Sequence, residues 1–152
     1  MNKRELDFRK DLIERMGGRW YAAIHVENHL NPGVPDMSYV MVAPGHETGW
    51  LELKAAPARS HIDSQLVFKV ESSQHQWMIK YARRVPCHFL IKICGSANRY
   101  YLVSGTKHNE LAGEVSERDL ISHATSVYDD SNLIYGLTES LQSLTKRDRN
   151  GH

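Results

Sequence analysis

The stretch Gly49-Trp50-Leu51-Glu52-Leu53-Lys54 decides how the chain is read, together with Gly33-Val34-Pro35-Asp36, which places an aspartate sixteen residues before Glu52. Leu51 and Leu53 alternate with Glu52 and Lys54, the period of a strand. Residues i and i+2 of a strand face the same way, so Glu52 and Lys54 project together while Leu53 enters the opposite, apolar side. Pro35 limits the preceding loop and sets Asp36 at the mouth of a neighbouring strand. Adjacent strands lie about 5 Å apart, near enough for two carboxylates to share one ion. Asp36, Glu52, the Leu53 main-chain carbonyl and several waters would suit Mg²⁺, which takes octahedral oxygen ligands and keeps much of its hydration; Mn²⁺ is expected to substitute. A metal so held polarises a phosphoryl oxygen and lowers the pKa of a bound water. A cation beside it, Lys54, stabilises the charge that grows on the phosphorus centre. The plain alternative is an exposed Glu-x-Lys strand pair and a turn aspartate.

Working outward, Asn2 and Glu5 form a capping pair for a first helix carrying Leu6, Leu12, Ile13 and Met16, stopped at Gly17-Gly18. Trp20–His25 reads as a strand, and Asn28–Pro35 as a loop because of Pro32, Gly33 and Pro35. Asp36–Ala43 and Gly49–Lys54 follow as strands. Ser72 or Ser73 is placed to cap a helix running to Arg84, and Pro86 ends it. Cys87–Cys94 is the most strand-like segment, and Gly95–Asn98 turns it into Arg99–Val103. Two helices are expected around Glu117–His123 and Asn132–Lys146. The order α-β-β-β-α-β-β with a helical C-terminus predicts an α/β or α+β fold, a central mixed sheet flanked by helices. One domain is expected over 1–152, with its core at about 4–104 and a helical extension at about 110–146.

Composition is that of a globular protein, with 41% hydrophobic and 24% charged residues. The apolar runs are too short to cross a bilayer, and the charged start from Lys3 has no leader-like apolar segment, so a cytoplasmic location without membrane contact is expected. A net charge of +1 argues against electrostatic coating of nucleic acid, but not against an enzyme that engages it briefly. Cys87 and Cys94 lie about 23 Å apart on one strand, facing opposite sides, and are read as small buried hydrophobes. Nine histidines show no HExxH or paired Cys/His spacing, so zinc is not expected. Trp50 and Trp77 are read as core anchors rather than base-stacking platforms.

The order of these motifs resembles the VRR-NUC branch of the PD-(D/E)xK nucleases, close to the archaeal-type Holliday-junction resolvases. The resemblance spans about residues 4–94. It runs from Glu5-Leu6-Asp7-Phe8-Arg9 through Glu27-Asn28, Asn31–Asp36 and Gly49–Lys54 to Gln74-His75-Gln76-Trp77 and Cys87–Cys94. The family's V-R-R segment has no counterpart after Lys54, where Ala55-Ala56-Pro57-Ala58-Arg59 stands.

The resemblance implies a restriction-endonuclease-like core and a Mg²⁺-dependent DNA endonuclease selective for branched DNA such as Holliday junctions. It makes Asp36 and Glu52 metal ligands and Lys54 the catalytic lysine. Glu5 becomes an added acidic group and Gln74 an orienting or phosphate-contacting residue. Gly33 becomes a point of close backbone approach to substrate. Arg9, Arg59 and His61 are the expected contacts to nucleic acid. A sequence-specific or non-specific DNA endonuclease would use the same chemistry, and a non-cleaving DNA-binding module the same fold. Symmetric junction cutting requires two sites related by a two-fold axis, hence a homodimer. Leu133, Ile134, Leu137, Leu141 and Leu144 could supply its contact, or pack on the protein's own sheet.

Overall fold

The computed structural model describes residues 2–17, 20–25, 32–42 and 47–150, with the backbone alone for 21–25 and 143–150. The expected strand end at Ala43, the turn Pro44-Gly45, the Glu27-Asn28 and Asn31 matches and the Leu144 side chain lie outside the described residues. Helix α1 (Lys3–Met16) starts where the Asn2 side chain accepts from the Glu5 N–H at 2.9 Å. Strands β1 (Trp20–His25), β2 (Met37–Met41) and β3 (Thr48–Pro57) follow, then α2 (Ser72–Tyr81), β4 (Cys87–Cys94) and β5 (Arg99–Ser104). A 3-10 segment (Gly105–Leu111), α3 (Glu117–His123), β6 (Ser126–Tyr128) and α4 (Leu133–Asn150) complete the order.

The six strands form one sheet in chain order, β1 through β6. Every neighbouring pair is antiparallel except β3 and β4, whose parallel pairing runs from Trp50↔Cys87 to Pro57↔Cys94 and is reached through the α2 crossover. Helices cover both faces. On one side Phe8, Leu12 and Met16 of α1 and Leu133, Leu137 and Leu141 of α4 meet Leu51, Leu53, Leu90 and Leu102. On the other, Met78, Leu111 and Leu120 meet Phe89, Ile91, Tyr101 and Val103. Each large side chain so buried contributes about 1.5–3 kcal/mol. Cys87 packs in the second core and Cys94 against the first, both as free thiols on opposite faces.

The mixed, helix-flanked sheet is the expected fold class, with several differences of detail. β3 runs on to Pro57, because its parallel contact with β4 buries Ala55 and Ala56 completely and supports a sequence of weak strand formers. The N-cap of α2 is Glu71, not Ser72 or Ser73, and the helix ends at Tyr81. β6 was not expected; its three residues pair with β5 from Tyr100↔Tyr128. The apolar face of α4 is consumed by its own core, with Leu133, Leu137 and Leu141 fully covered and Ile134 packed beside them. It is therefore not a free dimer contact. Among the described residues no helix is long and apolar enough to cross a membrane.

Candidate active site

β2 pairs with β3 only as far as Met37↔Leu51, whereas β4 accompanies β3 to Pro57. Beyond Leu51, β3 therefore turns an edge without a partner strand toward the side from which β2 arrives. Asp36, the residue just before β2, fills that edge with its side chain. Its Oδ2 accepts from the Leu53 N–H at 2.9 Å, and its own N–H donates to Glu52 Oε2 at 3.2 Å. Main chain and carboxylate thus lock the strand end to the neighbouring strand, a compact reason for an aspartate after Pro35.

Glu52 and Lys54 project from the same face of β3, with Lys54 Nζ 3.4 Å from Glu52 Oε1. Only 2% of Glu52 and 4% of Lys54 is exposed, unusual for charged residues. Gln74, in the first turn of α2, ties them together. Its Nε2 donates to Glu52 Oε1 at 2.5 Å, and its Oε1 accepts from Lys54 Nζ at 3.0 Å. The same Oε1 accepts from the Glu71 N–H at 2.8 Å, the third-position contact of a capping box. One amide therefore caps the helix and aligns the buried charge pair. Gln74 is both the helix-start residue and the site residue that the sequence allowed as alternatives.

Glu5 reaches the same place from the start of α1. With Asp36, Glu52, Lys54 and Gln74 it lines a cleft of about 270 Å³, whose rim adds Asn2, Lys69 and Glu71. Four carboxylates (Glu5, Asp36, Glu52, Glu71) thus face two ammoniums (Lys54, Lys69). Burial, with Asp36 adding to it, raises the buried acids of this cleft. Burial pushes the Glu52 carboxyl well above the usual carboxylate range, the Asp36 charge adds to this, and Lys54 only partly offsets it. Glu5 is raised too, by burial first; Lys54 opposes this shift and Asp36 adds to it.

A divalent cation fits this cleft, because it would supply the missing positive charge where carboxylate oxygens already face it. Among the described residues no three His, Cys, Asp or Glu side chains converge as an all-protein metal cage. An ion here would have to complete its coordination with water. Leu53 gives its side chain to the opposite core and its N–H to Asp36. Because a strand residue directs N–H and C=O to the same side, its carbonyl faces the same open edge.

The other expected contacts are not brought together here. Arg9 is half-buried one turn after Glu5 and does not line the cleft. Arg59 and His61 are exposed on the loop beyond Pro57 and are not among the residues that line the cleft; His61 lies near Asp63, which pairs with Arg118. Gly33 has φ +92°, and a Cβ there would come within 2.1 Å of the Ser73 carbonyl oxygen. Its close approach is to the first turn of α2, which fastens the Asp36 loop to the helix that carries Gln74. Trp50 and Trp77 are half-buried and pack against the margin of the second core, edge-on to each other at 5.5 Å. Sequence reasoning missed the rim residues Lys69 and Glu71. The spacing Glu71-x-x-Gln74 carried the second, as a capping-box signature. It also missed a pair joined by folding alone, His75 and His108, whose Nδ1 atoms are 3.0 Å apart.

No protein-family model matches the chain, and no curated protein sequence matches it. Among solved structures the chain is similar to Hjc, a Holliday junction resolvase from the archaeal hyperthermophile Archaeoglobus fulgidus, with a TM-score of 0.50 and 16% sequence identity. The alignment covers 78% of this chain and 93% of that one. This likeness establishes the fold: an α+β, restriction-endonuclease-like architecture. What the chain does has to be argued from the cleft.

Proposed function

We propose that the protein is a divalent-metal-dependent nuclease that hydrolyses phosphodiester bonds in DNA, with branched DNA such as a four-way junction as its preferred substrate. One observation carries the chemistry: Asp36, Glu52, Lys54 and Gln74 form a closed hydrogen-bonded set on the open edge of β3, with carboxylates in excess. A surface ion pair needs no such burial. The fold shared with a Holliday junction resolvase supports the choice of substrate.

In this reading Asp36 and Glu52 hold Mg²⁺, or Mn²⁺ in its place, with the Leu53 carbonyl as a third oxygen. When bound, the cation supplies Lewis-acid polarisation of a phosphoryl oxygen and a more acidic water. Lys54, held by Gln74 and Glu52, presents a fixed ammonium to the charge that develops on the phosphoryl oxygens. Because Gln74 is itself anchored in the helix cap, that ammonium needs little reorganisation during the reaction. Glu5 adds a further carboxylate from α1, placed to orient water at the cleft. A homodimer, which symmetric junction cutting requires, would have to use a surface other than the apolar face of α4.

The test is cleavage of junctions, flaps and linear duplexes in Mg²⁺, Mn²⁺, Ca²⁺ and EDTA, with molar mass measured by light scattering alongside. Mg²⁺ and Mn²⁺ are expected to support cutting, fastest on the junction, by a dimer. Ca²⁺ is expected to support binding with little turnover, because its longer and looser ligation misplaces the attacking water. Full activity in EDTA would end the metal mechanism. A monomer that cuts linear duplex as fast as a junction would end the resolvase reading and leave the nuclease.

A further inference from the structure

A second feature begins one residue from the cleft. Ser73, Gln76, Trp77, Lys80 and Tyr81 occupy one face of α2, at the i, i+3, i+4, i+7 and i+8 positions. Opposite them stand Pro32 and Val34, on the loop that leads to Asp36, and the two walls enclose a groove of about 530 Å³. Its lining residues Val34 and Ser73 stand two residues and one residue before the cleft residues Asp36 and Gln74. Trp77 and Tyr81 lie with ring centroids 4.7 Å apart, and Lys80 Nζ sits 5.2 Å from the centre of the Tyr81 ring. Both rings are half-buried, while Lys80 and the neighbouring Arg83 and Arg84 are exposed.

We propose that this groove holds unpaired nucleotides of the DNA strand that enters the cleft, with a base stacked on Tyr81 and Trp77 and Lys80 against a phosphate. The proposal rests on the nuclease reading, and it names the substrate feature that reading leaves open: an unpaired segment beside the scissile phosphate. Ser73 to Tyr81 spans about 12 Å at the α-helical rise, room for about three stacked nucleotides at 3.4 Å each. Aromatic rings beside a cation are how proteins take up single strands without reading sequence. A fully paired duplex arm keeps its bases stacked on one another and has none to offer, so the groove distinguishes frayed or flapped DNA, or a junction opened at its branch point, from continuous duplex. A peptide could use the aromatic rings, but continuity with the cleft, which in the nuclease reading handles phosphate, and the exposed Lys80 in the groove's own lining favour nucleic acid. This also gives a near-neutral protein a means of selecting DNA that long-range charge does not provide.

The experiment is equilibrium binding of a fluorescent 12-nucleotide oligo-dT and a 12-base-pair duplex in Ca²⁺, for the wild type, Tyr81→Ala, Lys80→Ala and Trp77→Phe. Tyr81→Ala removes a ring whose backbone alone serves the helix end, and its unfolding temperature is measured in parallel. It is expected to weaken single-strand binding about 5- to 100-fold while duplex binding stays within about twofold. Trp77→Phe, which keeps a ring, is expected to lose less. Unchanged oligo-dT binding by folded Tyr81→Ala and Lys80→Ala overturns the groove, whatever the cleavage assay shows. Ring-dependent binding without cleavage of any DNA supports the groove and removes the nuclease. A wild-type protein that binds neither oligonucleotide overturns the groove and leaves the nuclease to the cleavage assay.

Discussion

Glu52 and Glu117 are both buried carboxylates beside one cation, and they titrate in opposite directions. Glu117 opens α3 and accepts from Arg99 through both Nε and Nη2 and from the Tyr101 hydroxyl at 2.7 Å. Its carboxyl is held below the ordinary range, with the Arg99 hydrogen bonds as the largest cause. Glu52 also has a cation and hydrogen bonds, yet it is raised, because it is buried more deeply and Asp36 puts a second negative charge beside it. The Arg99–Glu117–Tyr101 group is electrostatically complete. The β3 group keeps an excess of carboxylate, which in the proposed function a further cation would complete; perturbed acids of this kind cluster at functional sites.

The largest test of this contrast is catalytic. Lys54→Ala and Asp36→Asn are each expected to lower DNA cleavage by at least about 10²–10³-fold with the fold retained, since each removes charge aimed at the reacting phosphate or its metal. Asp36→Asn is also expected to weaken Mg²⁺ binding in a calorimetric titration, and Lys54→Ala is not. Wild-type rates in both folded variants would show that the site is misassigned. The matching change at the other group, Glu117→Gln, is expected to leave cleavage within about twofold; a comparable loss there would erase the distinction.

A smaller effect is expected from the groups that orient the site. Gln74→Ala and Glu5→Gln should each lower cleavage or metal affinity about 10- to 100-fold, the range for partners that position ligands. For Gln74 the loss should fall on the rate rather than on DNA affinity. A loss confined to affinity would move Gln74 from holding Lys54 to holding phosphate.

Stability should separate the two groups by sign. Glu117→Gln breaks charge-assisted hydrogen bonds to a partly exposed Arg99 and is expected to cost about 1–2 kcal/mol in urea unfolding. Asp36→Asn keeps an oxygen for the Leu53 N–H and removes the charge that opposes Glu52 and Glu5. It is expected to raise metal-free stability, by less than about 1 kcal/mol. If Asp36→Asn destabilises as much as Glu117→Gln, the two groups are of one kind.

Much of this was written locally in the sequence, and the part that was not has physical reasons. The alternation in Glu52-Leu53-Lys54 was enough to place the charges on one face and Leu53 in the core, and Glu117–His123 shows helix signals at both ends. Gln74 was legible as a helix-start residue and, through the family pattern, as a site residue. That one amide serves both purposes follows from tertiary placement. The end of β3 was not legible: Ala55-Ala56-Pro57 is poor strand sequence, held extended by β4. The three further residues, about 10 Å of strand, set Arg59 and His61 on an exposed loop outside the cleft lining. β6 escaped because three residues set no period, and His75 meets His108 across 33 positions that no local pattern spans.

The smallest expected effect is the pH dependence of stability, and its sign follows from the two carboxylates. Glu117 has a lowered folded pKa, so its stabilisation is full above the unfolded carboxylate pKa and is lost as pH falls through the folded value. Glu52 has a raised folded pKa. It imposes no penalty below the unfolded carboxylate pKa, about 4.3, and an increasing one as pH rises from there through the folded value. His88 complicates the raw curve, because burial depresses it to about 4 and so removes stability as pH falls below its unfolded value. The difference between metal-free wild type and Asp36→Asn cancels His88, which both proteins share. That difference in melting temperature should be near zero at pH 4, grow in favour of the variant as pH rises, and shrink or reverse when saturating Mg²⁺ is added. A difference that ignores both pH and Mg²⁺ would mean that Asp36 and Glu52 are not coupled through charge. The β3 group would then be as self-sufficient as Arg99, Tyr101 and Glu117.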